Sequence, residues 1–306
     1  MKALFTVSLL LLPLYLYSES AGENAAKEKD PFAEFETAEK APEYSREVDR
    51  SRGSITLEAD GGEYRAGSHF GNWYWTMEAP RSGHYLVGLL YESTSSKLGI
   101  QIKVGEEAVL KGYAPRTNSL QEREPMVLGK AHLSKPGEHS VVILTGAPSN
   151  IPAFQVHGVH FQPAPATRPL GQSIDGSINL AAENATTYSR EMHYQPEEAK
   201  QSLGDWRLTE DWAEWKFDVT TPGVFDLEVH YGCAPGHEGS EIAVLVNGEV
   251  KNFTTKETGG FQSWQSLSLG KVDLDTEGVH RIALIPEKQA SGEMLELRRI
   301  ELTPES

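Results

Sequence analysis

The stretch that decides the fold is "WTMEAPRSGHYLVGLLY" (residues 75–91), because it returns 140 residues later as "WKFDVTTPGVFDLEVHY" (residues 215–231). Each copy begins with Trp and ends with Tyr, and a turn with one glycine interrupts each at the same place. Alternating apolar and polar residues on both sides of the turn are typical of half-buried β-strands. A strand–turn–strand unit present twice predicts an internal duplication.

Three further blocks repeat in the same order. The block "LGKAHLSKPGEHSVVIL" (128–144) matches "LGKVDLDTEGVHRIALI" (269–285), and "FQVHGVHFQP" (154–163) matches "LELRRIELTP" (295–304). At the starts, "ITLEAD" (55–60) resembles "INLAAE" (178–183). The second copy carries extra residues within "TTYSREMHYQPEEAKQSLGDWRLTED" (186–211), between its first strand and its Trp. Four blocks nearly in register indicate two copies of one domain.

Short strands separated by Gly and Pro turns predict an all-β chain of two tandem antiparallel β-sandwiches, most simply jelly rolls. Asn247-Gly248 predicts a tight hairpin, and a shift of phase in "MLELRRIEL" predicts a β-bulge. The only helical pattern, a short one, is "QPEEAKQSL" (195–203). The predicted units are a signal peptide (1–20), a flexible linker (21–53), the first sandwich (54–163), a Pro-rich linker (164–173) and the second sandwich (174–306).

The first residues, "MKALFTVSLLLLPLYLYSES", form a short apolar run behind one Lys. The run is shorter than the roughly 20 residues that span a bilayer, so it predicts a cleaved signal peptide and a secreted or periplasmic protein. A retained membrane anchor is the alternative. The formal net charge of −16 argues against nucleic acid or anionic lipid as a partner, since both need a basic face.

Signatures of catalysis or metal binding are weak. Cys233 is the only cysteine, so no internal disulfide forms, and its "CAPGH" stretch lacks the Arg of the sulfatase pattern that it resembles. His157 and His160 are three apart, which on a regular strand places them on opposite faces. No nucleophile–base set can be assembled, so the sequence predicts a protein that is not an enzyme; an esterase or lyase on a sandwich scaffold is the weakest of three functional hypotheses.

Aromatic residues give more information. In "GDWRLTEDWAEW", strand phase places Trp215 in the core and Trp212 out of phase with it. Trp206 precedes the strand in a polar loop, where an indole is costly unless it packs or binds something. In the first copy, Trp73 is the only aromatic expected to be exposed. In the turn "TGGFQSW" (258–264), Trp264 is expected to pack against the sandwich, whereas Phe261 lies at the turn itself.

The second copy resembles the non-catalytic carbohydrate-binding modules related to families 6 and 35, which share the galactose-binding-like sandwich and are appended to secreted bacterial sulfatases and glycosidases. The residues that carry the resemblance are "AAENA" (181–185), "LGDWRLTEDWAEWKFDV" (203–219), "TPGVFDLEV" (221–229), "TGGFQSWQSLSLG" (258–270) and "MLELRRIELTP" (294–304). The first copy is covered only through the repeat.

The resemblance implies ligand-binding roles for Trp206, Phe261 and Gln262, and a structural calcium ion held in part by Glu183 and Glu296. The chain departs from the pattern in two places: "QASGEM" (289–294) lacks the Asn that usually binds sugar hydroxyls, and Phe261 stands where Trp is usual. The alternative is that Trp206 and Phe261 pack on each other and close the loop end.

The favoured hypothesis is a secreted, non-catalytic protein that recognises a glycan through loop aromatics of its second sandwich. The alternative is a structural or protein-interaction module of an exported assembly, with another exported protein as its partner and no sugar site.

Overall fold

The computed structural model describes residues 48–67, 70–106, 108–117, 124–148 and 153–305. The predicted signal peptide and most of the first predicted linker lie outside these ranges. The described residues include no helix with the length and apolarity that a bilayer crossing requires.

Residues 55–163 form two antiparallel sheets. One has the strand order β1-β9-β4-β7 and the other β2-β3-β8-β5-β6. The strands are β1 (Ile55–Glu58), β2 (Glu63–Ala66), β3 (Phe70–Ala79), β4 (Gly83–Ser93), β5 (Lys97–Val104), β6 (Ala108–Pro115), β7 (Glu124–Leu133), β8 (Gly137–Pro148) and β9 (Phe154–Pro163).

Residues 170–304 form two more sheets. One has the order β10-β15-β20-β17-β18, with β12 also on β15, and the other β13-β14-β21-β16-β19, with β11 also on β21. Only β10 pairs in parallel among the described strands. The strands are β10 (Leu170–Gly171), β11 (Ile178–Ala181), β12 (Thr186–Tyr188), β13 (His193–Gln195), β14 (Ser202–Gly204), β15 (Trp212–Val219), β16 (Gly223–Cys233), β17 (Glu241–Val246), β18 (Glu249–Thr254), β19 (Gly260–Leu274), β20 (Gly278–Lys288) and β21 (Glu296–Pro304).

The all-β prediction is therefore confirmed, while the bounds of the two domains stay a prediction. Each half has its own cluster of buried apolar side chains between its two sheets. Trp215 is fully buried there, as strand phase predicts. Asn247 and Gly248 have φ of +47° and +96° and close the predicted two-residue hairpin between β17 and β18. The register of β16 against β21 shifts where the bulge is predicted.

The duplication extends to individual hydrogen bonds. The indole N–H of Trp75 donates to the carbonyl of Glu58 at 2.9 Å, and that of Trp215 donates to the carbonyl of Ala181 at 2.8 Å. Both acceptors end the first strand of their copy and precede a single 3-10 turn. A buried indole N–H needs an acceptor, and both copies meet this need with the same backbone position.

The predicted helix over residues 195–203 is wrong. Only one turn forms, in which the amides of Lys200 and Gln201 donate to the carbonyl of Glu197, and Gln201 then ends it with φ of +46°. The residues on either side of the turn pair instead as strands β13 and β14, and β14 joins β21. Pairing with the sheet therefore outweighs the local preference of a short polar segment for helix.

The predicted exposure of Trp73 is also wrong. Its side chain is buried, with the Tyr64 ring 4.8 Å and the Phe154 ring 5.8 Å from it. Trp73 alternates with the outward-facing Asn72 and Tyr74 along β3, so it points into the core together with Trp75. The strand begins at Phe70, so Trp73 lies well inside it.

The end of the first predicted linker is packed against the second half. Arg50 lies over the stacked rings of Tyr188 and Trp212 and pairs with the buried Glu214 at 2.8 Å. Arg52 pairs with the buried Asp211, also at 2.8 Å. We call residues 48–53 the strap, because they run from the second half directly into β1.

Candidate functional site

Loops at one end of the second half bring together a set of polar and aromatic side chains. We call this set the loop rim: Gln195, Asp205, Arg207, His237, Phe261 and Glu293. Its members come from the end of β13, from the loop before β15, from the loop after β16, from the start of β19 and from the loop before β21. Three of the five segments are loops, which are free to carry binding groups because the sheets hold their ends in place.

Asp205 is at the centre of the loop rim. Its φ of +56° is rare for a residue with a side chain, and its amide donates to Glu293 Oε1 at 2.6 Å. Its carboxylate accepts from Gln195 Nε2 at 3.0 Å and pairs with Arg207 at 2.5 Å. A strained backbone held by several hydrogen bonds is a feature that clusters at functional sites.

Gln195 has an unsatisfied acceptor. Its residue is 7% exposed, and Oε1 has no hydrogen-bond partner among the described residues. The Gln195 side-chain amide packs directly against Gly204. Any side chain at residue 204 would displace it, because an added Cβ would come within 2.7 Å of the amide group. A buried oxygen without a donor is rare in folded proteins, so its place beside Asp205 marks the rim as a site where a donor could be accommodated.

The charged side chains of the loop rim differ in how exposed they are. The Arg207 side chain is 50% exposed, whereas that of Glu293 is only 12% exposed and lies 3.9 Å from it. Burial raises the pKa of Glu293 above its usual value; the Asp205 amide opposes this rise, and the Asp205 carboxylate adds to it. The rim therefore presents a half-exposed cation backed by two carboxylates, which offers donors and acceptors side by side.

Phe261 closes one side of the rim. Its ring is half-buried and stands edge-on to His237, with 5.0 Å between the ring centroids. His237 is held in turn by a contact of 2.8 Å between Nδ1 and the carbonyl of Glu293. Gly232 is required here, because a Cβ at this position would overlap the Phe261 carbonyl.

Trp206 is not an exposed platform, and this prediction is wrong. Its side chain is 1% exposed and belongs to the core of the second half. The indole N–H donates to the carbonyl of Asp211 at 2.8 Å, and the Trp206 carbonyl accepts from Met294 at 2.9 Å. The polar loop thus folds back over its own tryptophan, which anchors Asp205 and Arg207 on either side of it.

Gln262 lies next to Phe261 and is exposed, but its side-chain amide already forms a hydrogen bond within the protein. Its Nε2 donates to Glu296 Oε1 at 2.9 Å, while Oε2 of the same buried carboxylate accepts from Ser202 Oγ at 2.9 Å. Trp264, two residues further along β19, is half-buried, and the Arg298 guanidinium lies 5.4 Å from its ring.

The two predicted calcium ligands do not fit the ion. Calcium takes six to eight oxygen ligands. Glu183 is exposed, both oxygens of Glu296 already accept hydrogen bonds, and among the described residues no three His, Cys, Asp or Glu side chains gather in one place. We derive no step of function from a calcium ion.

The cysteine and histidine side chains that could suggest catalysis or metal binding do not come together in one site. Cys233 is buried, and burial raises the pKa of its thiol to about 11, so it carries no thiolate at neutral pH. His157 Nε2 faces Glu92 at 3.3 Å, whereas His160 Nδ1 lies 2.9 Å from Thr56 Oγ1. The two histidines therefore have different partners, as their spacing predicts.

Sequence reasoning missed most of the loop rim. Gln195 was assigned to the false helix, and Glu293 is one of many acidic residues. The pair Gly204-Asp205 before a Trp was the available signal, since Gly and Asp are the residues that tolerate unusual backbone angles.

No protein-family model matches the chain, and no curated protein matches it. Solved structures with a similar fold include a family 35 carbohydrate-binding module from Clostridium thermocellum, at 16% identity and a TM-score of 0.34, covering 42% of this chain and 98% of that one. The C-terminal family 6 module of LamC from Zobellia galactanivorans matches at 17% identity and a TM-score of 0.33, covering 42% of this chain and 98% of that one.

A longer enzyme, the GH26-CBM35 β-(1,4)-mannanase of Podospora anserina, matches at 14% identity and a TM-score of 0.29, covering 39% of this chain and 29% of that one. Modules of families 6 and 35 are thus among the known structures similar to this chain. At these identities the likeness is one of fold.

Proposed function

We propose that this is a secreted, non-catalytic binding protein whose second half recognises a glycan at the loop rim. The observation that carries the proposal is the half-exposed Arg207 between two carboxylates, in a loop rim that also contains Phe261 and the unsatisfied oxygen of Gln195. A sugar hydroxyl both donates and accepts, so it can bridge a guanidinium and a carboxylate in a single contact.

In this proposal each group has a separate task. The ring of Phe261 offers an apolar edge for the C–H groups of a pyranose, and a few convergent polar groups fix its orientation. Among the described rim residues, Gln195 Oε1 is the one buried side-chain nitrogen or oxygen atom without a hydrogen-bond partner, and it would accept from a hydroxyl once the side chain turns toward the ligand. Trp206 supports the rim from below and does not touch the ligand.

The test is a glycan array followed by isothermal titration with the best glycan. Arg207→Ala should weaken binding at least tenfold, because a hydrogen bond to a charged group contributes about 1.5–3 kcal/mol. Phe261→Ala should weaken it about tenfold, because the apolar contact of the ring is lost and burying such a ring contributes about 1.5–3 kcal/mol. Arg298→Ala is the matched control, since its guanidinium stacks on Trp264 outside the rim. Thermal midpoints of all variants show whether they remain folded.

Three results would contradict the proposal. Unchanged binding in Arg207→Ala would remove the site, and release of reducing ends by the pure protein would show an enzyme. If no glycan on the array binds and the protein instead captures a defined exported protein, the protein-interaction role would be favoured.

A further inference from the structure

The same sheet face serves differently in the two halves. In the second half, the outer face of β15, β20 and β17 is covered by the strap, where Val48 packs near Leu245 and Arg50 reaches Glu214. Register places Tyr74 at the position of Glu214 and Lys103 at the position of Leu245. The first half therefore has a matching face on which the acidic and apolar anchors are replaced.

This face of the first half holds an open groove of about 460 Å³. Gly99 on β5 and Gly146 on the neighbouring strand β8 form its floor. Gln101, two residues after Gly99 on β5, also lines the groove. Tyr113 faces Gly99 in register on the edge strand β6 and is 65% exposed. The Tyr113 ring therefore stands beside a floor without side chains, where a flat ligand has room to lie against it.

One side of this face, formed by β5 and β6, is basic, whereas the exposed Glu78 and Glu138 take outward positions further along β3 and β8. The outward positions of β5 and β6 carry Lys97, Lys103 and Lys111, and Lys97 Nζ lies 4.4 Å from the Tyr113 ring. In the ranges that the structure describes, none of the three lysines forms an ion pair. The whole chain carries a net charge of −16, yet this cluster of three lysines is locally positive. It therefore attracts anionic ligands.

We propose that this face binds an acidic polysaccharide, carboxylated or sulfated. Lys97 and Lys103 are six residues apart on β5, which is about 20 Å along a strand. That length suits the regularly repeated charges of a polysaccharide. The glycine floor beside Tyr113 admits a flat sugar ring, and stacking there adds to the electrostatic attraction. The site is separate from the loop rim, so the two proposals stand or fall independently.

The experiment is affinity electrophoresis of the full chain in gels that contain polygalacturonate, chondroitin sulfate, uncharged dextran or polyglutamate. Gly99→Phe places a ring in the groove, and the backbone accepts a side chain there because an added Cβ meets no atom within 4 Å. Lys103→Glu and Lys111→Glu reverse the charge of the face. Lys135→Glu is the matched control, since it makes the same charge change in an exposed turn between β7 and β8.

We expect retardation by at least one of the two acidic polysaccharides and none by dextran. The Kd should rise at least tenfold in Gly99→Phe and several-fold in each charge reversal, while Lys135→Glu binds as the wild type does. Which polysaccharide retards the protein tells whether carboxylate or sulfate is recognised. Equal retardation by polyglutamate would show an acidic peptide surface, and retention that survives Gly99→Phe would show charge attraction alone; either result overturns the proposal.

Discussion

The strap gives the sharpest stability prediction, because one buried carboxylate holds two guanidinium groups. Glu214 is fully buried, and its oxygens lie 2.8 Å from Arg50 and 2.6 Å from Arg281. Glu214→Ala leaves two cations facing each other with little access to water. Removing one partner of a buried ion pair costs about 3–5 kcal/mol, so we expect the free energy of unfolding to fall by that amount.

Arg50→Ala should cost less, about 2 kcal/mol, because Glu214 keeps its bond to Arg281. This change should also free the strap from the second half. Trypsin should then cut after Arg52 much faster than in the wild type. Urea unfolding followed by tryptophan fluorescence gives the stability, since Trp212 stacks under Arg50.

The double variant separates the pair from its surroundings. If Arg50 and Glu214 interact as the distances indicate, the cost of the double variant should be smaller than the sum of the single costs by at least about 0.5 kcal/mol. Purely additive costs, or an Arg50→Ala protein as resistant to trypsin as the wild type, would refute the reasoning that the ion pair holds the strap.

Three other changes test the packing. Trp206→Ala should lower the free energy of unfolding by about 3–5 kcal/mol in urea titrations, as the loss of a large core side chain does, and a surface tryptophan would not cause this loss. Gly53→Ala should destabilise measurably by the same assay, because its φ is +80° and a Cβ would overlap the carbonyl of Ser189. Burial, and next the neighbouring His132, lowers the pKa of His84, so the unfolded chain binds a proton first as pH falls below about 6.5. Stability should therefore decrease from pH 7.5 to 5.5, and the decrease should be smaller in His84→Gln.

Much of the fold could be predicted because its causes are local. Alternation in residues 223–231 predicted the strand β16, and Asn247-Gly248 predicted a hairpin whose backbone angles only such residues adopt readily. The repeat then extended each strand assignment to the other copy. Even the bulge opposite β16 was visible as a shift of apolar phase in the last strand.

The strap and the loop rim could not be predicted, because their causes are distant in sequence. Residues 48–53 are polar and resemble a linker, and the partner Glu214 lies 164 positions beyond Arg50. Trp206 was misassigned for a similar reason. Polarity of its neighbours suggests exposure, yet the Trp206 side chain lies in one core cluster with Met294, which is far away in the sequence and whose amide donates to the Trp206 carbonyl.

Comparison of the two copies separates scaffold from function. The inward position held by His139 and His280 keeps the same contact in both halves, from Nε2 to the carbonyl four residues earlier, at 3.0 and 2.8 Å. Outward positions differ, as Tyr74 and Glu214 do. Because inward residues maintain two equivalent cores, a difference in what the two matching sheet faces bind comes from their outward residues. Glu214 pairs with the strap, whereas the first half has Tyr74 at that position, with Arg65 over its ring and Lys103 two strands away. This difference between the two faces supports the proposal that the face of the first half takes an acidic partner.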